Sequence, residues 1–160
     1  MFQENLQVLE DEVKKIQRRP AKKITKLRLK NIGLYYLERF ESSVGNLRQV
    51  LMRRVNDYAY QNPGYDTSEA LGWIEELLAD FERYGYLNDN RFAELKIRDY
   101  LAAGKSARYI KGKLLQKGIS EDETERLLAE QEYNPEELAL KLAKKKKIGP
   151  FRGDETARKE

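Results

Sequence analysis

The side chains of this sequence whose type and spacing could do chemistry are cations. Lys105, Arg108, Lys111, Lys113 and Lys117 fall within 13 residues that contain no acid. Arg48, Arg53 and Arg54 form a second group, and Lys144, Lys145, Lys146 and Lys147 a third. Strips of this kind attract phosphates or acidic protein surfaces and hold them by charge, without making bonds. Bond-making chemistry has little to work with. The chain has no Cys and no His, which removes thiol nucleophiles, imidazole proton transfer, Cys/His zinc sites and disulfides. Carboxylates crowd residues 119–137, from Glu121 to Glu137, but along a helix they point several ways and serve better as surface charge. No glycine-rich phosphate loop occurs, so no catalytic residue, metal or cofactor is assigned.

The net charge of +4 hides a block structure. Residues 14–60 hold 13 basic and 3 acidic side chains, a net of +10, whereas residues 61–100 hold 4 and 9, a net of −5. Residues 101–118 are purely basic, 119–137 mostly acidic and 138–152 purely basic again. Separate basic and acidic surfaces steer an anionic partner even where the total is modest. The absence of Cys fits a reducing cytoplasm. No apolar run approaches the ~20 residues that span a bilayer, and the start, MFQENLQVLEDEVKK, lacks the apolar core of a signal peptide. A cytoplasmic protein without membrane contact is expected.

Helices must position these cations. Val44, Leu47, Leu51, Val55 and Tyr58 recur at steps of three and four behind Ser43, a natural N-cap. Leu71, Ile74, Leu78 and Phe81 repeat the pattern, with Thr67 or Ser68 as cap and Gly85 as stop. Phe92, Ala93, Ile97, Tyr100 and Leu101 define a further helix that ends near Gly104. Ser106 opens the next, with Ala107, Ile110 and Leu114 inside, and Gly118 ends it. Ser120 with Glu123 is a capping box, and Asn134-Pro135 starts one more helix through Lys146. Residues 1–22 read as an amphipathic arm whose Leu6, Leu9, Val13 and Ile16 could dock on the body or on a partner.

A shift of 63 residues superposes Ser43 on Ser106, Leu47 on Ile110, Arg48 on Lys111, Leu51 on Leu114 and Arg54 on Lys117. The chain therefore divides into the arm (1–22), a three-helix repeat at 23–86, a second at 87–133 and a partial third at 134–160. The third holds one helix and the start of another. Short three-helix units hide little surface alone, so the stack is expected to share one continuous core. The fold class is all-α, with tandem three-helix (helix-turn-helix-like) repeats in an elongated, curved stack.

With the order WIEELLADFERYG (73–85), YLNDNRFA (86–93) and AAGKSARYIKGKLLQKGIS (102–120), the sequence resembles the RecX family. The likeness covers roughly residues 25–150. It implies tandem three-helix repeats, cytoplasmic location and a non-enzymatic regulator. The implied partner is the RecA recombinase and its filament on DNA, with modulation, usually inhibition, in recombination and repair. The unfinished third repeat departs from the family pattern and implies weaker filament capping or DNA binding. Two other readings of the residues stay open: a sequence-blind binder of single- or double-stranded DNA, and a helical adaptor for an acidic protein. Direct DNA binding is expected to be weak and nonspecific.

Individual residues carry further expectations. On a helical wheel Lys105 and Arg108 lie opposite Ile110, whereas Lys113 and Lys117 sit near the apolar face, where their stems can pack. Of the lysines at 144–147, one or two suit the helix C-terminus and the rest are free for a partner. Tyr58, Tyr84 and Tyr100 fall at core spacing, while Tyr35 and Tyr109 fit it less well and are the candidates for stacking. Asp89 and Arg91 read as a helix start with a local ion pair that sets the angle between repeats.

Overall fold

The computed structural model describes residues 20–131 and 134–151. The helical arm expected at 1–22 lies almost wholly outside them. Seven α-helices follow one another, and no strand occurs among the described residues: α1 Lys26–Leu37, α2 Val44–Gln61, α3 Ser68–Arg83, α4 Asp89–Ala102, α5 Ala107–Leu115, α6 Glu121–Glu130 and α7 Pro135–Lys145. A 3-10 turn at Gly149–Phe151 closes the described chain.

Local chemistry accounts for most boundaries. Ser43, Asn88, Ser106, Ser120 and Asn134 are extended N-caps whose side chains accept from free amides of the first turn. At α3 Thr67 takes the expected N-cap position without its capping bond. Asp66 Oδ1 accepts from Ser68 N at 2.9 Å instead, which holds the Asp66 carboxyl below its ordinary range. Gly85, Gly104 and Gly118 each end a helix with φ near +80°, the left-handed region that glycine enters without strain.

Two buried clusters form. Leu29, Leu47, Leu51, Val55, Ile74, Leu77, Leu78 and Phe81 knit α1, α2 and α3, and Gly33 lets α1 approach so closely that an added Cβ would stand 2.8 Å from the Phe81 ring. Phe92, Ile97, Ile110, Leu114, Ile119, Leu127 and Leu128 do the same for α4, α5 and α6. The clusters are separate, so the continuous core expected of the stack is absent. Where the trios meet, the buried side chains are polar: Ser42, Ser43 and Asn46. Two core assignments also change. Leu71 is exposed, and Ala70 and Leu77 face inward in its place; Tyr84, just past the end of α3, is exposed.

Candidate nucleic-acid and partner interface

The first trio meets the second through backbone. Gly45, in the opening turn of α2, lies against Lys117 and Gly118 after α5, and an added Cβ at Gly45 would stand 2.7 Å from the Lys117 carbonyl. Ser43 Oγ accepts from Asn46 N and donates to that same carbonyl at 2.6 Å. Asp89 Oδ1 accepts from Val44 N at 2.8 Å, and Arg91 pairs with Glu41 at 2.6 Å. Asp89 and Arg91 are therefore not paired with each other. Each reaches back to the preceding trio, and the cap of α4 is Asn88.

This junction decides what the basic residues can do. Lys117 is half-buried, with its ammonium donating to Asn46 Oδ1 at 2.6 Å. The Asn46 amide in turn donates to Tyr36 Oη and Ser42 Oγ. Arg48 forks onto both oxygens of Glu75 at 2.7 and 2.9 Å, and those hydrogen bonds hold the Glu75 carboxyl below its ordinary range. Lys111 is tied to Glu125 across α5 and α6, which raises its ammonium above the ordinary lysine value. Three predicted cations thus have internal acceptors.

Others gather. Lys105 and Lys113 stand 5.0 and 5.6 Å from the centre of the Tyr109 ring. Arg108, Tyr109, Gly112, Lys113 and Gln116 line one shallow concavity on the outer face of α5. Gln49 donates to the Gln116 carbonyl at 3.3 Å, so the outer face of α2 continues that of α5. Arg53, one turn beyond Gln49, is exposed on that continuation. Arg54 is directed elsewhere: it lines a different cleft with α1. Tyr109 is 39% exposed and stacks edge-on against Tyr100, whereas Tyr35, 56% exposed, lies on the first trio.

The lysines at 144–147 are all exposed. Lys144 and Lys145 complete the last turn of α7, Lys146 caps it, and Lys147 takes the left-handed conformation usually left to glycine. Lys144 lies 5.5 Å from the Phe151 ring. Of the twelve predicted cations the geometry brings Lys105, Arg108 and Lys113 together around Tyr109, and Arg53 is exposed on the adjoining helix one turn from Gln49. Gln49 and Gln116, which join the two helices, carry no local signal in the sequence, because the bond between them spans 67 positions. Among the described residues no cluster of carboxylates could hold a metal ion, and no helix is long and apolar enough to cross a membrane.

Comparison with known proteins points one way. Residues 88–128 match the family model for the second three-helix domain of RecX. The regulatory protein RecX of Myxococcus xanthus is 36% identical over 151 residues, which cover 92% of this chain and 80% of that protein. The RecX proteins of Shewanella oneidensis (39% identical, 47% of this chain and 59% of the other) and Agrobacterium fabrum (31%, 77% and 64%) are also similar. No solved structure matches the chain. The match to the Myxococcus protein runs through both helical trios at substantial identity, and the chain therefore belongs to the RecX family, the non-enzymatic regulatory proteins that modulate RecA.

Proposed function

We propose that this protein binds the RecA filament in the cytoplasm through the cationic face shared by α5 and α2, and by doing so inhibits it. In this reading the functional units are those at 23–86, 87–133 and 134–160, stacked into a curved rod along the filament. One observation supports the reading: Lys105, Arg108 and Lys113 gather about Tyr109 beside the helix that carries exposed Arg53, while Arg48, Lys111 and Lys117 are taken up by internal acceptors. The first four keep their charge available to a partner, and the last three hold the helices that present them.

Such a rod acts by differential affinity. A recombinase filament cycles between states of different pitch, and a rigid ligand that touches neighbouring subunits binds one pitch better than another. Rigidity is supplied by the glycine-to-glycine junction. The cations contribute mainly to encounter and orientation, since exposed charges speed association more than they deepen affinity. Contacts with the DNA backbone are expected to be weak and sequence-blind.

The test is RecA-dependent ATP hydrolysis and strand exchange with increasing amounts of the purified protein. Inhibition near stoichiometric ratios is expected. Replacing Arg53, Lys105, Arg108 and Lys113 together by Gln should weaken it by about tenfold or more, the equivalent of ~1.4 kcal/mol. Unchanged activity at stoichiometric wild-type protein would refute the reading. If the quadruple variant inhibits normally, the α5–α2 face is not the contact surface. Binding to DNA alone, followed against salt, separates a pure nucleic-acid binder, whose affinity falls with a log–log slope near −0.9 per phosphate neutralised.

A further inference from the structure

A second cationic site lies on the first trio, away from the α5–α2 face. An open cleft of about 570 Å³ runs between α1 and α2, with Arg28, Asn31 and Arg54 among apolar Leu27, Ile32 and the Tyr35 ring. Among the described residues no acidic side chain lines it. The Nε of Arg28 is buried and has no hydrogen-bond partner among the described residues. A buried N–H left so is costly, and it leaves the guanidinium without an internal acceptor to fix it. Neither Arg28 nor Arg54 forms an ion pair among the described residues, whereas Arg48, on the same helix as Arg54, is fully engaged by Glu75.

We propose that this cleft docks an acidic peptide segment of a protein partner, with a carboxylate held by Arg28 and Arg54 and a neighbouring apolar side chain against Leu27 and Ile32. The charge of the cleft calls for an anion, and its walls say which kind. A nucleic-acid strand carries charge at every step and is tracked by a row of cations with open aromatic faces between them. Here two guanidiniums sit between apolar walls, and one face of Tyr35 is already covered by Arg39, whose guanidinium carbon lies 4.0 Å from the ring centre. Guanidinium groups recognise carboxylates through paired, charge-assisted hydrogen bonds. Leu27 is 68% exposed at the rim, a large apolar side chain that an alternating acidic and apolar segment would cover. The site does not depend on the α5–α2 reading.

Fluorescence anisotropy on the full chain tests it. The probes are a short labelled peptide of alternating Asp and Leu, the same peptide with Asn for Asp, and an oligothymidylate of equal length. The Asp–Leu peptide should bind and the Asn–Leu peptide should bind at least about tenfold more weakly. Arg28→Gln and Arg54→Gln should each reduce Asp–Leu binding by a similar factor, and Lys105→Gln should leave it unchanged. Arg54 is exposed, so its variant keeps the test valid if Arg28→Gln fails to fold. Equal binding of the two peptides, or loss of binding only in Lys105→Gln, overturns the proposal. So does an oligothymidylate that binds more tightly than the peptide and is released by Arg54→Gln, which would give the cleft to nucleic acid.

Discussion

The two junctions of this chain are built from different materials. Between the first and second trios, Gly45 meets Gly118 backbone to backbone, and hydrogen bonds from Ser43, Val44 and Lys117 pin the approach. Between the second trio and α7 the contact is looser: Leu142 lies over Gly104, where an added Cβ would stand 2.3 Å from its Cδ2, and Leu138 lines the same open cleft opposite Leu101. No described side chain of α7 is buried. Leu140 and Ile148, beside it, are at least half exposed. A junction of backbone and directional bonds has one geometry, because neither part can rotate without breaking contacts on both sides. A junction made by half-buried leucines tolerates rearrangement, since their rotamers exchange at little cost. The first trio pair is thus the rigid element of the rod, and α7 the adaptable one.

The largest effect that would break this contrast comes from Gly45→Ala. The obstructing atoms are backbone, so they cannot swing aside, and the substitution should cost about 3 kcal/mol, the upper end for overpacking. Thermal denaturation reads it as a drop of several degrees. Gly72→Ala is the control. Gly72 sits exposed within α3 with open space where the methyl would go, so the change should stabilise by up to ~1 kcal/mol through helix propensity. If Gly45→Ala is as harmless as Gly72→Ala, the first junction is not rigid.

A smaller effect measures the directional bonds alone. Ser43 and Ser106 are equivalent under the 63-residue shift, and both cap a helix, but only Ser43 also donates to a carbonyl of the neighbouring trio. Ser106→Ala should cost about 1 kcal/mol as a lost cap. Ser43→Ala should cost about 1 kcal/mol more, because the Lys117 carbonyl loses its partner in a buried place. The difference between the two variants in urea denaturation is the contribution of the junction. Equal costs would leave the junction to glycine packing and to the Val44–Asp89 and Lys117–Asn46 bonds.

Much of this was legible in the sequence and the junction was not. Caps and stops are local, so Ser43, Ser106, Ser120, Asn134 and the three glycines at the helix ends read directly. The inward face of α3 was half legible, because Leu71 and Leu77 both suit a helical step from Ile74 and only the packing of α1 and α2 chooses between them. The contact of Gly45 with Gly118 lies beyond any pattern of spacing, and so does the capture of Lys117 by Asn46, 71 residues away. Charge blocks mark where the cations lie along the chain but could not say which were already neutralised, since Glu75 and Glu125 belong to other helices. A strip of cations in sequence gives an upper bound on the cations a partner can meet.

Leu142→Ala probes the weaker junction. Leu142 is only half-buried, so the loss should be about 1 kcal/mol or less and confined to α7. Hydrogen exchange should show faster opening across Pro135–Lys145 with unchanged protection in α2 and α5. A fall in protection throughout the second trio would mean that α7 is part of its core.

The smallest effect separates acid loosening inside a trio from loosening between trios. Glu75 titrates below its ordinary value because Arg48 donates two hydrogen bonds to its charged form. A carboxyl whose pKa is lower folded than unfolded adds stability above the unfolded value, near 4.3 for Glu, and loses it as pH falls through the folded value. Both side chains are about half exposed, which limits the contribution at neutral pH to roughly 0.2–1 kcal/mol after screening. Glu75→Gln should therefore be slightly less stable than wild type at pH 7 and equal to it well below pH 4. Raised salt should shrink the difference at pH 7, since it screens exposed pairs. The pair spans α2 and α3 within the first trio, so the acid limb of the wild-type curve that Glu75→Gln removes belongs to that trio and not to the glycine junction. Should Glu75→Gln instead shift the exchange of Val44 or Gly118 amides, the pair and the junction are coupled, and the rigid element extends into α3.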